Sequence, residues 1–247
     1  MAQIGYGYGS EYHLMRFLGH HRHLFEDIIR KVLNEQDGQF DWLDFEFENP
    51  MNSISGDKEL KGISFLGKII PEAKFNEVNK KYHDYKINSI DNWQNWDAIF
   101  TLNGIIYLVE AKAHVSELSS KRTHGGKSSR EILRFFNEQL NGYSVTSNEK
   151  VLLGDYYQLV NRLATAAFLN NNGVKTKCLY IYFTNGYNKR IVEKNRIMPY
   201  ENDNASKEDF LEKINEEYNV LVGGSKDALG DLLVEPVFIN AENGNND

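Results

Sequence analysis

Asn95-Trp96-Asp97-Ala98-Ile99-Phe100-Thr101-Leu102-Asn103-Gly104-Ile105-Ile106-Tyr107-Leu108-Val109-Glu110-Ala111-Lys112 is the stretch on which the fold turns. Two apolar runs flank Asn103-Gly104. Asn-Gly is the dipeptide that a type I′ turn favours, because both of its central residues take positive φ. The stretch therefore predicts a hairpin. Counting outward from the turn pairs Leu102 with Ile105 and sets Asp97 opposite Glu110 as a direct cross-strand neighbour. Side chains alternate along a strand, so Glu110 and Lys112 share one face. Two acids and an amine thus gather at the far end of an apolar hairpin.

That grouping suits a divalent cation and the hydrolysis of a phosphodiester. Magnesium is held by one or two carboxylates plus waters, and a bound cation activates water and stabilises charge on phosphoryl oxygens. Asp97 and Glu110 are the expected ligands, with the backbone carbonyl of Ala111 as a third. Lys112, a compact mobile cation, would orient the attacking water or stabilise the transition-state charge. Without a cation, two carboxylates about 4 Å apart repel by roughly 1–4 kcal/mol, and Lys112 offsets part of that. The competing reading is a cross-strand salt bridge on a solvated sheet face. Ile105, Ile106, Leu108 and Val109 argue against it, since they mark a central strand, where three charges are costly unless used.

Working outward, residues 10–19 read as a helix with Ser10 as N-cap and Leu14, Met15 and Leu18 on one face. Residues 23–34 read as a second, with Leu24, Phe25, Ile28, Ile29, Val32 and Leu33 as its apolar stripe. Residues 40–48 alternate as a strand that Asn49-Pro50 ends. Residues 51–92 are mixed and polar apart from Ile63 to Ile70, and read as an insertion. After the hairpin come a Ser/Gly/Lys-rich loop at 119–129 and a helix at 129–140. A better helix covers 152–169, with Tyr156, Leu159, Val160, Leu163 and Ala167 as a narrow apolar stripe, and a buried strand follows at 176–184. Beyond residue 185 the pattern gives a helix at 206–218, a short strand near 219–222, a helix near 226–233 and a last strand near 235–239. The expectation is one α/β domain over residues 1–240, a mixed central sheet with helices on both faces, and a disordered tail at 241–247. The step from the Glu110 strand through the 152–169 helix to the 176–184 strand would be a right-handed crossover.

At 247 residues the chain is long enough to bury a sizeable core. Cys178 is the only cysteine, which excludes an internal disulfide and a cysteine-built zinc site and points to a reducing, cytoplasmic setting. The first residues lack a basic segment followed by an apolar run, so no signal peptide is expected. The apolar runs are too short to span a bilayer, so no membrane partner is expected. A net charge of -7 argues against a surface coated in basic groups. It leaves room for an enzyme that concentrates acids at a metal site and needs only a local basic rim.

The segment from Asp97 through the hairpin to Glu110-Ala111-Lys112 resembles the PD-(D/E)xK nuclease superfamily, the restriction endonuclease-like fold. An apolar residue stands on each side of the acids, as in that family. One departure is that Asn95-Trp96, and not proline, precedes Asp97. The resemblance implies that Asp97 and Glu110 bind Mg²⁺ (with Mn²⁺ as substitute) and that Lys112 assists the water. It also implies a core of helix, three antiparallel strands, helix and strand, onto which the order above maps from about residue 10 to 184. DNA is the substrate the family suggests, with RNA open.

Further residues attach to this reading. Glu11 lies on the inward face of its helix and is either another acid of the site or a first-turn acid serving the helix dipole. Glu26 is its substitute. Gln158 matches a glutamine that some exonuclease-like branches carry on the helix after the catalytic strands, although the tyrosine four residues on is Arg162 here. Gln158, Arg162 and Thr165 lie opposite the apolar stripe, which reads as a solvated face. Lys121, Arg122, His124, Lys127 and Arg130 follow the site among glycines, and either track a phosphate backbone or form an ordinary solvated loop. His20, His21 and His23 point in different directions on a helix and make a poor zinc site. The leading expectation is thus a Mg²⁺-dependent nuclease. Its rivals are a sequence-specific homodimeric restriction enzyme using residues 51–92 for recognition, and a non-catalytic nucleic-acid- or protein-binding module on the same fold.

Overall fold

The computed structural model describes residues 9–43, 46–47, 57–58, 60–119, 127–185, 189–192, 196–199, 205–224, 226–242 and 244. The principal elements run α1 (Ser10–His20), α2 (Arg22–Leu33), β1 (Asp41–Leu43), α3 (Glu72–His83), β2 (Ala98–Leu102), β3 (Ile105–Lys112), α4 (Lys127–Gln139), the single turn α5 (Glu149–Leu152), α6 (Tyr157–Asn171), β4 (Thr176–Thr184), α7 (Lys207–Val222) and β5 (Val237–Asn240). The five strands form one sheet in the order β1-β2-β3-β4-β5. β2 is antiparallel to both β1 and β3, and β4 is parallel to both β3 and β5. The molecule is an α/β protein with a mixed five-stranded sheet flanked by helices.

The hairpin follows from its turn. Asn103 and Gly104 have φ of 50° and 74°, the positive pair that a type I′ turn requires. The register is Leu102 with Ile105 through Ala98 with Val109. β3 is then sandwiched between β2 and β4, and all its residues but Ile105 are buried, as its unbroken apolar run requires.

Alternation along β3 divides the interior in two. Tyr107, Val109 and Ala111 face a core built with Leu14, Phe17, Phe25 and Ile29 of α1 and α2. Ile106 and Leu108 face a larger core built from α3, α4, α6 and α7. Glu110 and Lys112 continue that second row, so strand period alone aims them at α6. His13 sits on the first face against Phe183, with centroids 5.3 Å apart. Neither of its ring nitrogens has a hydrogen-bond partner. Burial, with Arg16 nearby, lowers it to about 4, so it is neutral at physiological pH.

Several expectations need correction. Ser10 is not the N-cap of α1; Gly9 holds that position without a side-chain bond. The expected strand at 219–222 is the last turn of α7. A capping box between Ser206 and Asp209 starts this helix, and Gly223 in the left-handed region at φ 64° ends it. Between them Phe210, Ile214, Tyr218, Leu221 and Val222 keep one helical stripe buried, so the helix runs on. The expected helix near 226–233 reduces to a 3₁₀ turn, Lys226–Leu229. The strand at 40–48 is β1 alone, with Glu46–Phe47 paired separately to Asp57–Lys58. In the expected tail, Gly244 is buried and donates its N–H to Asn240 O at 2.8 Å, while residues 243 and 245–247 lie outside the described residues.

The region expected to be an insertion is, from residue 60, part of the core. Ile63, Phe65, Leu66, Val78, Tyr82, Tyr85, Ile87 and Ile90 are all buried in the larger cluster. Leu60–Lys61 pairs antiparallel with Asn95–Trp96, so this region also braces the strand end that leads into Asp97. Gly62 at φ 54° makes that approach possible: its carbonyl accepts the Trp96 Nε1–H at 2.8 Å, and an added Cβ would meet Asp91 O at 2.8 Å. No helix among the described residues is long and apolar enough to cross a membrane.

Candidate active site

A cavity of about 390 Å³ opens at the C-terminal end of β3, and Asp97, Glu110, Ala111 and Lys112 all line it. The N-terminal turns of two helices, with Trp93 and Asn95 ahead of β2, form the rest of its walls. α1 contributes Ser10 and Glu11, and α6 contributes Tyr157, Gln158, Asn161 and Arg162. Both helices therefore turn the positive ends of their dipoles toward the acids.

Asp97 stands one residue before the last β2–β3 pair, and its Oδ2 accepts the Ala111 N–H at 2.8 Å. That bond takes the place of the ladder bond β2 would have made. In extended backbone a residue's carbonyl projects to the same side as its N–H, so Ala111 O also points to the Asp97 side, past the end of β2. Glu110 and Lys112 meet as alternation requires, with Lys112 Nζ 2.7 Å from Glu110 Oε1.

Two α6 residues spaced by one helical turn reach the same carboxylate. Gln158 Nε2 donates to Glu110 Oε1 at 2.6 Å, and Gln158 Oε1 accepts from Lys112 Nζ at 3.0 Å. Arg162 Nε donates to Glu110 Oε2 at 2.9 Å, and its Nη2 donates to Asn95 O at 2.6 Å. The guanidinium lies over the Trp96 ring, 4.8 Å from the centroid. Behind Arg162, the fully buried Gln94 donates from Nε2 to Asn161 Oδ1 and Thr165 Oγ1, both at 3.0 Å, and accepts from Tyr82 Oη. This polar layer ties α3 and the 90–95 turn to α6 and holds the helix in register with Glu110.

The electrostatics separate the two acids. Burial and then the Glu110 carboxylate push Asp97 up to about 8, against the opposing pull of Lys112 and the Ala111 N–H. Burial would raise Glu110 as well, but Arg162 and Lys112 outweigh it and hold that carboxyl below its usual range. The same acids raise Lys112 and Arg162 against the opposing effect of burial. Glu110 is thus ionised and paired with two cations. Asp97 bears the mutual repulsion, which a cation beside it would relieve.

The donor set can be tested against a metal. Among the described residues no group of three or more His, Cys, Asp or Glu side chains is gathered to hold an ion. What is present is hard oxygen: the Asp97 carboxylate, one remaining acceptor direction on Glu110, and the Ala111 carbonyl. That set fits Mg²⁺, which keeps several waters and needs one or two carboxylates, and does not fit zinc.

Other sequence expectations sort clearly. Glu11 lines the cavity, whereas Glu26 Oε1 accepts the Trp42 Nε1–H at 2.9 Å, away from it. Gln158, Arg162 and Thr165 do not form a solvated face. α6 packs against β4 on one side and α4 on the other, and every residue from Leu159 to Leu169 is buried. Gln158 belongs to the cavity. Arg130 is exposed on α4, on a separate groove of about 1180 Å³ shared with Lys86 and Arg134. Lys121, Arg122 and His124 lie outside the described residues, and so does the side chain of Lys127. His20, His21 and His23 are exposed.

Sequence reasoning missed Arg162, Asn161, Asn95, Trp93 and Tyr157. A signal existed for the α6 residues. Gln158, Asn161, Arg162 and Thr165 recur at helical spacing, which marks one coherent polar face. A crossover helix enclosed on both sides must bury such a face against something polar.

Two further acids, one half-buried and one buried, are raised by their surroundings. Glu117, in the turn after β3, is raised by burial, while Lys112 and the Ser10 hydroxyl pull the other way. Glu217 on α7 is buried with Oε1 unpartnered, and burial pushes it up to about 8. The unfolded chain releases this proton near 4.5 and the folded chain near 8, so stability present at acid pH is lost as pH rises across that window. Glu217→Gln should therefore stabilise the fold by about 3 kcal/mol at pH 7 and gain nothing below the unfolded value. Urea unfolding of both proteins at acid and at alkaline pH tests this; an equal gain at both would refute it.

Comparison of the chain with protein-family models, with curated proteins and with solved structures gave no match.

Proposed function

We propose that this chain is a Mg²⁺-dependent phosphodiesterase that hydrolyses nucleic acid, with DNA as its substrate, on a restriction endonuclease-like core. One observation carries the reading: Asp97, Glu110, the Ala111 backbone and Lys112 line a single cavity at the end of a buried hairpin. The element order supports it too. Helices, β1, the β2–β3 hairpin, α6 and parallel β4 follow the sequence of elements expected of that superfamily.

Asp97, Glu110 and the Ala111 carbonyl would hold the cation, which supplies charge neutralisation on the phosphoryl oxygens and a water of lowered pKa. The chain's own residues do the rest. Lys112 keeps an ammonium within the cavity, 2.7 Å from Glu110, where it can donate to the attacking water or to a developing oxyanion. Gln158, bonded to both Lys112 and Glu110, fixes the direction of that ammonium. Arg162 holds Glu110 ionised and donates from Nη2 to Asn95 O, so it positions the carboxylate. The first turns of α1 and α6 turn the positive ends of their helix dipoles to the cavity, which favours an anion there.

The test is cleavage of single-stranded DNA, duplex DNA and RNA with Mg²⁺ and with Mn²⁺, run beside Asp97→Ala. Metal-dependent cutting by the wild-type protein, lost in the variant, is the expected result. Cutting that survives Asp97→Ala, or no cutting of any substrate with either ion, would overturn the reading. In the second case Glu110, closed off by two cations, would be a structural pairing in a binding module.

A further inference from the structure

We infer that the site takes its nucleic acid as an unpaired strand, with one base laid against Trp93 and Tyr157. This rests on the phosphodiesterase reading and names its substrate class.

Trp93 and Tyr157 line the same cavity as the acids, and both are half-buried. Trp93 Nε1 donates to Tyr157 Oη at 2.6 Å, so the indole's only donor is spent within the pair. Phe136 backs both rings, stacked on Trp93 at 6.0 Å and tilted against Tyr157 at 5.9 Å. Phe135 meets Trp93 edge-on at 5.2 Å. The two rings are therefore fixed before any ligand arrives, and what they offer is mainly π and apolar surface. Such a platform suits a base of any sequence, because every base has a π face.

Charge points the same way. Duplex capture depends on rows of Lys and Arg along the phosphates. Among the described residues the cavity's cations are Lys112 and Arg162, both paired with Glu110, among the acids Glu11, Asp97 and Glu110. With these cations already paired, the described lining offers little charge to spare for phosphate, and stacking on the rings would add to the affinity. The cavity, about 390 Å³, is at the low end for a pocket that holds one small ligand. A base inside a duplex would have to leave its stack to reach the rings, a cost that an unpaired strand does not bear.

Fluorescence anisotropy tests this with a short labelled oligothymidylate and a labelled blunt duplex of the same length, with Ca²⁺ in place of Mg²⁺ to hold back cleavage. Wild-type protein should bind the single strand about tenfold or more tightly than the duplex. Trp93→Leu keeps apolar packing against Phe136 but removes the π face, and should weaken single-strand binding by about five- to a hundredfold. Trp93→Phe should restore most of it. Tyr157→Leu gives an independent reading should Trp93→Leu fold poorly, which a melting curve would show. Equal or tighter binding of the duplex, or single-strand binding unchanged in both leucine variants, overturns the inference. If cleavage of duplex DNA accompanies that result, the phosphodiesterase reading stands while this one falls. Absence of both binding and cleavage on every substrate sinks the two together.

Discussion

Glu110→Ala is expected to cost roughly 3–5 kcal/mol of folding stability in addition to any activity, the largest single effect at this site. The reason lies in what it leaves behind. The side chains of Lys112 and Arg162 are each only 8% exposed. With Glu110 removed, Arg162 retains the Asn95 carbonyl and the Trp96 face but loses its counter-charge. An unpaired buried cation costs far more than an absent pair does. The double variant Glu110→Ala/Arg162→Met should therefore recover much of the loss, leaving Lys112 with Gln158 and the nearby Asp97 carboxyl. Chemical unfolding of the wild type, both single variants and the double variant forms a cycle that measures this coupling. Additive losses would mean that the pair contributes nothing as a pair.

Lys112→Ala should lower kcat by about 10²–10⁴-fold with little change in KM. Lys112 is the charged group of the cavity best placed to change its partner during reaction, since Arg162 is committed to Glu110 and Asn95. Removing the ammonium leaves Glu110 still held by Arg162 and Gln158. The scaffold should stand and the chemistry should fail. Lys112→Arg should not rescue it, because a planar fork cannot replace a compact point charge in a site this tightly bonded. Single-turnover cleavage, with a melting curve as control, separates the two effects. A variant that cuts at the wild-type rate would remove Lys112 from the mechanism, and one that merely binds more weakly would make it a substrate contact.

The two variants also separate the parts that the fold gives these neighbours. On the proposed reading Glu110 is structural and chemical at once, because it sits where β3, β4 and α6 meet. Its cross-strand partner on β4 is Tyr180, a buried tyrosine whose hydroxyl has no partner and which the Glu110 charge helps to raise well above its usual value. Lys112 lies at the strand's last residue, beside the cavity. Position along one strand thus separates a group that the core needs from one that it can lose.

Much of the hairpin was legible because its information is local. Asn103-Gly104 specifies the turn, the turn specifies the register, and period two then puts Glu110 and Lys112 on one face without reference to the rest of the chain. The 176–184 strand was legible for the same reason, as an apolar run of strand length. The α7 helix was read short because its continuation depends on the Ser206 and Gly223 caps and on which of Tyr218, Leu221 and Val222 the core takes up. Residues from 60 onward were read as an insertion because their apolar positions follow no single period. Their burial against α4 and α6 is a tertiary fact.

The sequence by itself therefore determined the hairpin, its register and the meeting of Asp97, Glu110 and Lys112, since each of these depends on residues within one turn of chain or one strand pair. Only the tertiary structure decided what surrounds them. Arg162 and Gln158 lie 52 and 48 positions from Glu110, and the periodicity of α6 shows that they share a face but not what that face meets. The enclosure of α6 between β4 and α4 turned that face inward. A buried polar face must find partners, and the carboxylate at the end of β3 was the partner within reach.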